Sequence, residues 1–340
     1  MKQNLTWQVG FCDLAEARPS EYFEATVPGA VQLDYAKKYN LPDFNRGTNY
    51  KQFKWMEDKF WVYKTEFHAQ VQSGNKLFLV CRGIDYKYDI FANGEKLCSY
   101  EGMYRTQQLD LTRFAGQKVE IEIVIYPIPR SNVPINDWSS VHKDTRDEAN
   151  QCCKPAVSYG WDFHPRLVPL GIWEEIYLEE RPYSANLYPR VTYQLSEDLT
   201  SATVFLSSVG IANTNWKFLD PNGNIVFTGK GEQTEFVIEN IQLWWCNGYG
   251  TQPLYRAVAS VPGMDDVTVK VGFKKVELVK SEGSWEEGLN YPMSRNTPPI
   301  TVRLNNRVIF TKGSNWVCPE IFYGKLNDAR YREQLELVKG

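Results

Sequence analysis

The chain has 340 residues and a formal net charge of −3, so it is long enough for two or three domains and carries no excess of positive charge. No Lys/Arg cluster is long enough to follow a phosphate backbone, and no apolar run is long enough to span a bilayer. We therefore expect neither a nucleic acid nor a membrane as partner. Aromatic residues make up 14% of the chain, including 11 Trp, which permits a carbohydrate-binding protein without requiring one.

Cysteine and histidine usage predicts no disulfide framework, no metal site and no cofactor. The seven cysteines show no small-domain spacing, and the adjacent Cys152 and Cys153 cannot bridge each other without strain. No Cys-x-x-Cys occurs and there are only three histidines, so no zinc site is readable. The N-terminal residues do not resemble a signal peptide, so we expect a cytoplasmic protein, or a periplasmic or secreted one whose signal has been removed.

Residues 1–181 are predicted to form one all-β domain. Apolar and polar residues alternate over 57–69 and 109–126, and Asn93-Gly94 is a strong hairpin signal. Several short strands with regular turn signals are typical of a β-sandwich or a jelly roll. Near the start, residues 26–43 predict an excursion that contains a short helix.

Residues 182–279 are predicted to form a second all-β domain that begins after Arg181-Pro182. Four stretches alternate at strand spacing, and Asn222-Gly223 lies in a turn. The size and the number of strands predict an immunoglobulin-like sandwich. Trp244, Trp245 and Tyr255 could form a sugar platform, although packing between domains is favoured, since aromatic residues at strand spacing are usually core residues.

Residues 280–340 are predicted to begin a third domain. A polar linker is followed by a hairpin and by an apolar strand that ends at 312–316. An amphipathic helix pattern comes next, with Leu335 and Val338 among its apolar positions. A strand followed by a helix is the first unit of a (β/α)₈ or TIM barrel, which needs about 250 residues, so most of such a barrel is missing from the sequence.

The stretch 158–173, which reads SYGWDFHPRLVPLGIW, contains an irregular loop at the end of a polar run that starts at 127. Pro165 and Pro169 cannot donate to a strand ladder and force extended backbone on the residue before them. A long loop rich in Trp, Asp, His and Arg is typical of recognition. A buried Trp161 whose neighbour Asp162 caps a turn would give the same pattern, so that alternative stays open.

The same stretch resembles the GWDWGPR…GIW signature of β-mannosidases in glycoside hydrolase family 2. Trp161 and Asp162 match its Trp-Asp, whereas Phe163 and His164 replace its second Trp and its Gly. Two more segments resemble the family: LWWCNGYGTQPLY near residue 250, and the Lys-Gly-Ser-Asn-Trp run at 312–316. The resemblance implies a mainly β fold, in which a jelly-roll (galactose-binding-like) sandwich precedes an immunoglobulin-like sandwich and the first β/α unit of a barrel.

The function implied by this resemblance is that of the non-catalytic N-terminal part of a retaining, exo-acting glycoside hydrolase. A β-mannosidase acting on terminal β-D-mannose is favoured, because the family's galactosidases usually carry a His-containing motif where 312–316 lies. The family takes its two catalytic Glu from later barrel strands, so the fragment is expected to be inactive. The open alternatives are a β-galactosidase or exo-β-glucosaminidase, and a carbohydrate-binding module without hydrolase activity.

Four residues are predicted to bind the carbohydrate substrate: Trp161, Asp162, Asn315 and Trp316. An Asp can accept hydrogen bonds from neighbouring sugar hydroxyls while a Trp packs on the ring face, which orients the substrate. Asn315 and Trp316 would lie at the end of the first barrel strand, although packing there is an equal alternative. Arg166 is expected either to assist or to pair with Asp162, and a homodimer is a further expectation.

Overall fold

The computed structural model describes residues 2–130, 146–149, 152–161, 163–183, 186–281 and 300–340. The chain divides into two compact units. The first contains the residues up to Arg181 together with Trp316–Gly340, and the second contains Pro182–Asn315. Strands predominate among the described elements of both units, as the alternating sequence pattern predicts.

The first unit contains strands β1 to β12 and helices α1 to α3. The strands are β1 Lys2–Asn4, β2 Trp7–Cys12, β3 Phe23–Ala25, β4 Phe60–His68, β5 Lys76–Cys81, β6 Ile84–Asp85, β7 Lys87–Ala92, β8 Glu95–Glu101, β9 Gln107–Asp110, β10 Lys118–Ile125, β11 Gly171–Ile172 and β12 Ile176–Arg181. The helices are α1 Val31–Tyr39, α2 Arg146–Ala149 and α3 Asp328–Lys339. Short 3₁₀ helices span Asn49–Asp58, Thr112–Phe114, Ala156–Tyr159 and Tyr323–Lys325.

Two antiparallel sheets form the sandwich of the first unit. One sheet has the order β3-β2-β4-β10-β7-β8, the other has the order β1-β12-β5-β9, and β6 pairs with β11. Both sheets contribute to one apolar core, which includes Trp61 and Tyr63 of β4, Leu79 of β5 and Leu178 of β12. Each large apolar side chain buried there stabilises the fold by about 1.5–3 kcal/mol. The sandwich predicted for this part of the chain is therefore present.

Local signals in the first unit correspond to the observed elements. β7 and β8 are joined by Asn93 and Gly94, whose φ values of 49° and 81° suit the tight hairpin turn that their sequence predicts. The expected short helix near the start is α1. It ends at Asn40, which has a left-handed φ of 53° and whose amide binds the carbonyl of Ala36.

The second unit contains strands β13 to β22. They are β13 Arg190–Leu195, β14 Ser201–Ser207, β15 Asn215–Leu219, β16 Ile225–Lys230, β17 Gln233–Glu239, β18 Tyr255–Ser260, β19 Val267–Val271, β20 Val276–Lys280, β21 Ile300–Leu304 and β22 Arg307–Ile309. Sheets of order β13-β14-β17 and β16-β15-β18-β19 share a core with Trp216, Phe218 and Phe273. Tyr255 is buried in that core, where its ring centroid lies 4.7 Å from that of Phe273.

The C-terminal part differs from its predicted arrangement. β21 and β22 form the expected hairpin, and β21 pairs antiparallel with β20 in the second unit. Residues 310–320, all of them described, form no strand, so the apolar strand predicted to end at 312–316 is not formed. An apolar run alone does not make a strand, because the backbone groups of a strand need a neighbouring strand as hydrogen-bond partner. α3 follows as predicted, with Asn327 as its N-cap, and none of its residues is buried.

Candidate functional site

The loop singled out by its sequence contains a short turn, the Trp161 turn (residues 161–164). Trp161 and His164 exchange both backbone hydrogen bonds, with N···O distances of 2.8 and 3.1 Å. Gly160 precedes the turn with a φ of 111°, a value that favours glycine. The Leu167 amide donates to the Ser158 carbonyl at 3.0 Å, which ties the two sides of the loop together. The turn is therefore held by its own backbone.

Two aromatic side chains of the turn face solvent. Trp161 is 44% exposed and Phe163 is 61% exposed, so the alternative of a buried Trp161 is wrong. Asp162 lies outside the described residues, and its role stays a prediction. His164 is half-buried, its Nδ1 lies 2.7 Å from the carbonyl oxygen of Pro165, and burial lowers the pKa of its imidazole. The rings of Trp161 and Phe163 are thus partly accessible to solvent, and a sugar contact at Trp161 stays a prediction.

Arg166 lies beneath the turn in a buried ion network. Its Nη2 is 2.8 Å from Glu57 Oε2 and 2.6 Å from Glu148 Oε2. Arg130 adds contacts to both carboxylates, at 3.5 Å to Glu57 and 3.1 Å to Glu148. The side chain of Arg166 is only 6% exposed, so it fixes the loop on the 3₁₀ helix Asn49–Asp58 and is not available to a substrate.

A second buried ion pair lies at the foot of the same loop. The Lys154 ammonium binds the Asp85 carboxylate, and both side chains are at most 1% exposed. Lys154 also donates to the carbonyl oxygen of Pro169 at 2.9 Å, and the Tyr323 hydroxyl donates to the other oxygen of Asp85. Burial raises the pKa of the Asp85 carboxyl, against the opposing effect of Lys154 and Tyr323.

Three aromatic residues lie next to this pair, and of these only Trp173 belongs to the stretch 158–173 that the sequence singled out. The ring centroids of Trp173 and Tyr323 are 5.3 Å apart, and those of Tyr104 and Trp173 are 6.0 Å apart, both in edge-to-face geometry. Trp173 Nε1 donates to the Met103 carbonyl at 3.1 Å. The row runs from the buried carboxylate of Asp85 to the exposed ring of Tyr104. No local pattern predicts that these residues meet, because they come from three separate segments.

Asn315 and Trp316 lie in the irregular segment after β22. Both side chains are exposed, Trp316 by 49%. They are not at the end of a strand, contrary to expectation, and their role as sugar contacts stays a prediction. The structure thus places Trp161 in a hydrogen-bonded turn and these two residues in a separate, irregular segment.

Among the residues that the structure describes, no group of three or more His, Cys, Asp or Glu side chains converges so as to hold a metal ion. None of the described helices is long and apolar enough to cross a membrane.

Comparison with known families decides the identity of the first unit. Residues 7–174, which include the Trp161 turn and the buried Asp85–Lys154 pair, match the family described as glycosyl hydrolase 2 galactose-binding domain-like. The first unit therefore contains a domain of glycoside hydrolase family 2. The matched region ends just after β11, so it covers most of the sandwich together with its loop.

Curated relatives from family 2 are longer than this chain. Beta-mannosidase B from Emericella nidulans is 25% identical over an alignment that covers 96% of this chain and 40% of that protein. Beta-mannosidase B from Aspergillus clavatus is 26% identical over 92% of this chain and 38% of that protein. The chain therefore spans less than half the length of these relatives.

Solved structures of family 2 enzymes share the fold. The crystal structure of a beta-D-mannosidase from Dictyoglomus thermophilum superposes with a TM-score of 0.77 at 20% identity, covering 100% of this chain and 42% of the other. A beta-glucuronidase from an uncultured Clostridium species gives a TM-score of 0.65 at 13% identity, covering 52% of its length. At these identities the likeness establishes the fold and not the substrate.

Proposed function

We propose that this chain is the non-catalytic N-terminal part of a retaining, exo-acting glycoside hydrolase, a β-mannosidase that removes terminal β-D-mannose residues. In this role the chain binds and orients the carbohydrate through Trp161 and Asp162, together with Asn315 and Trp316. A retaining enzyme needs two carboxylates about 5–5.5 Å apart, and both are expected to lie outside these 340 residues. The chain alone is then inactive and contributes substrate positioning.

The observation that carries the proposal is the exposed ring of Trp161 on a turn that is fixed from below. Its backbone is held by paired hydrogen bonds between Trp161 and His164, and Arg166 binds the loop to the buried carboxylate of Glu57 and the partly exposed carboxylate of Glu148. A rigid support suits a sugar platform because little entropy is lost when the ligand binds. The names of the curated relatives favour mannose as the sugar.

Two finer features of the architecture belong to the same proposal. We expect the three-part division 1–181, 182–279 and 280–340, with an immunoglobulin-like second domain. Two of the three described sheets of the second unit, those of order β13-β14-β17 and β16-β15-β18-β19, share one core and support the immunoglobulin-like assignment. We also expect residues 310–340 to complete the first unit of a TIM barrel when the rest of that barrel is present, with α3 as its first helix. A homodimer stays an additional proposal.

Other family 2 activities are the competing candidates. A β-galactosidase, an exo-β-glucosaminidase or a β-glucuronidase would use the same sandwich domains, and the glucuronidase neighbour shares the fold at 13% identity. A carbohydrate-binding module without hydrolase activity is the remaining alternative, and the galactose-binding domain-like description of residues 7–174 suits it.

A panel of nitrophenyl glycosides tests the proposal. The full-length protein that contains this chain should hydrolyse the β-mannoside faster than the β-galactoside, β-glucosaminide and β-glucuronide. The 340-residue chain alone should hydrolyse none above a no-protein control. Preference for another sugar would assign a different family 2 activity, and turnover by the chain alone would show that its catalytic carboxylates lie within it.

A further inference from the structure

Residues 321–325, which we call the docked segment, pack closely against other residues of the first unit. Phe322 is fully buried, and its ring meets that of Phe44 at a centroid distance of 4.9 Å with nearly perpendicular planes. Gly324 is buried against the backbone of Gly29, so close that a β-carbon on Gly324 would lie 2.4 Å from the Gly29 carbonyl oxygen. The hydroxyl of Tyr323 donates to Asp85. Apolar burial, close backbone contact and a charge-assisted hydrogen bond therefore coincide in this segment.

Gly29 and Asp85, which contact the docked segment, also contact residues 169–172, at the C-terminal end of the loop that carries Trp161 (residues 158–172, the Trp161 loop). The Gly29 amide donates to the Ile172 carbonyl at 2.8 Å, and Asp85 is the register partner of Gly171 in the β6–β11 pair. Asp85 in turn binds Lys154, whose ammonium donates to the Pro169 carbonyl at 2.9 Å. The docked segment thus contacts both supports of residues 169–172.

We propose that Tyr323 is a positioning residue for the Trp161 loop, acting through Asp85 and Lys154. The hydroxyl of Tyr323 satisfies one carboxylate oxygen of Asp85 while Lys154 binds the other, and Lys154 carries the restraint to Pro169. The packing of the docked segment and the local stability of the Trp161 loop are then coupled. In its consequence for sugar binding, the inference rests on the proposed function.

The physical basis is the cost of an incompletely satisfied buried carboxylate. Asp85 is 1% exposed, so no water is available to replace a lost donor. Tyr323→Phe removes the donor and keeps the ring that packs on Trp173. The Asp85 carboxylate must then replace the lost hydrogen bond from Lys154 or from other neighbouring groups. A shift of the Lys154 ammonium towards Asp85 weakens its hydrogen bond to the Pro169 carbonyl.

Hydrogen exchange on the 340-residue chain tests the coupling directly. In Tyr323→Phe, the amides of Trp161, His164 and Leu167 should exchange about tenfold faster or more, as expected for loss of a charge-assisted hydrogen bond. Amides of the paired strands β4 and β10 should accelerate no more than these loop amides do, because any effect on them arises only from the fall in global stability. The matched control is Tyr331→Phe, which removes a hydroxyl from exposed α3 and should leave the loop unaffected.

Two exchange results would overturn the inference. Unchanged loop amides would show that the docked segment and the loop are independent. Exchange that accelerates more in β4 and β10 than in the loop would show general destabilisation instead of positioning.

The full-length protein provides a second readout. There Tyr323→Phe should lower kcat/KM for the preferred glycoside about tenfold, mainly through KM, with the melting temperature nearly unchanged. Unaltered kcat/KM in an active enzyme would also overturn the inference. A full-length protein that cleaves no glycoside would refute the proposed function, and the exchange result would still decide the coupling.

Discussion

Gly29 and Gly324 are in backbone contact although 294 positions separate them: a β-carbon built on Gly324 would lie 2.4 Å from the carbonyl oxygen and 2.9 Å from the amide nitrogen of Gly29. The space between the two segments admits no side chain at this point. Gly29 lies in a bend just before α1, and its own amide already donates to the Ile172 carbonyl. The glycine at 324 is therefore a requirement of packing.

We expect Gly324→Ala to displace the docked segment. The added methyl group collides with backbone, which cannot rotate away as a side chain can, and overpacking of this kind typically costs about 1–3 kcal/mol. Limited proteolysis and the free energy of unfolding measure the effect. Gly313→Ala is the control, because a β-carbon there meets nothing within 4 Å. Equal behaviour of the two variants would contradict the packing role of Gly324.

Arg166 should matter for stability and not for substrate contact. Replacing it by Met removes the main partner of Glu57 and leaves a buried carboxylate, a loss that typically costs about 3–5 kcal/mol, here moderated by Arg130. Urea unfolding of the chain measures this loss. Arg330→Met, which breaks an exposed pair with Glu333, should be nearly neutral. A stable Arg166 variant with reduced kcat/KM would instead make Arg166 a substrate ligand.

Asp34 should make the first unit less stable as the pH rises towards neutrality. Burial raises the pKa of this carboxyl to about 7, against the opposing hydrogen bonds from Thr26, whose amide donates to one oxygen at 3.0 Å; the other oxygen is buried without a described partner. The folded state then binds a proton that the unfolded chain has released, so stability is highest below the unfolded pKa and is lost as the pH rises through about 7.

The variant Asp34→Asn isolates this effect, because it keeps the oxygen that accepts the Thr26 amide and removes the charge. Relative to the unmodified chain, its stability should rise by about 2–3 kcal/mol between pH 5 and pH 8. Urea unfolding at both pH values measures the difference. Asp43→Asn serves as the control, because the Asn45 amide lowers the pKa of Asp43 and no gain is expected in this range. A constant difference for Asp34→Asn would show that its carboxyl titrates normally.

Local sequence patterns predicted much of the fold, but they did not predict contacts between segments that are far apart in the sequence. The turn at Asn93-Gly94 and helix α1 follow from residue preferences within a few positions. The partner of Arg166 could not be read in this way, because Glu57 lies 109 positions away. A carboxylate and an arginine pair through the fold, and each sequence window contains only one of them.

In the candidate site, too, local sequence indicated some of the residues and did not show which distant residues the fold brings together. The composition of the loop and its resemblance to a family signature led to Trp161, which the structure shows exposed on a turn. Asp85, Lys154 and Tyr323 converge from three segments, and no local pattern shows that these three side chains meet. The strand predicted to end at 312–316 requires a neighbouring strand to pair with, and an apolar run carries no information on that neighbour.

The Trp161 turn should determine sugar recognition in the full-length protein. Trp161→Ala removes the exposed ring face, and Asp162→Ala removes the predicted acceptor for sugar hydroxyls. Each change should lower kcat/KM about 100-fold or more, as expected when an orienting contact is lost. The free energy of unfolding should fall by no more than about 1 kcal/mol, because an exposed loop side chain contributes little to the fold.

Steady-state kinetics and urea unfolding on the same preparations separate these effects. Leu14→Ala is a suitable comparison, because its side chain is 63% exposed and is not one of the proposed site residues. That variant should retain activity, which controls for the general loss of an exposed apolar side chain. Near-normal kcat/KM in both turn variants would remove the turn from the sugar site. If instead their lost activity follows lost stability, Trp161 and Asp162 are structural, and the sugar contacts must be sought on other residues of the chain.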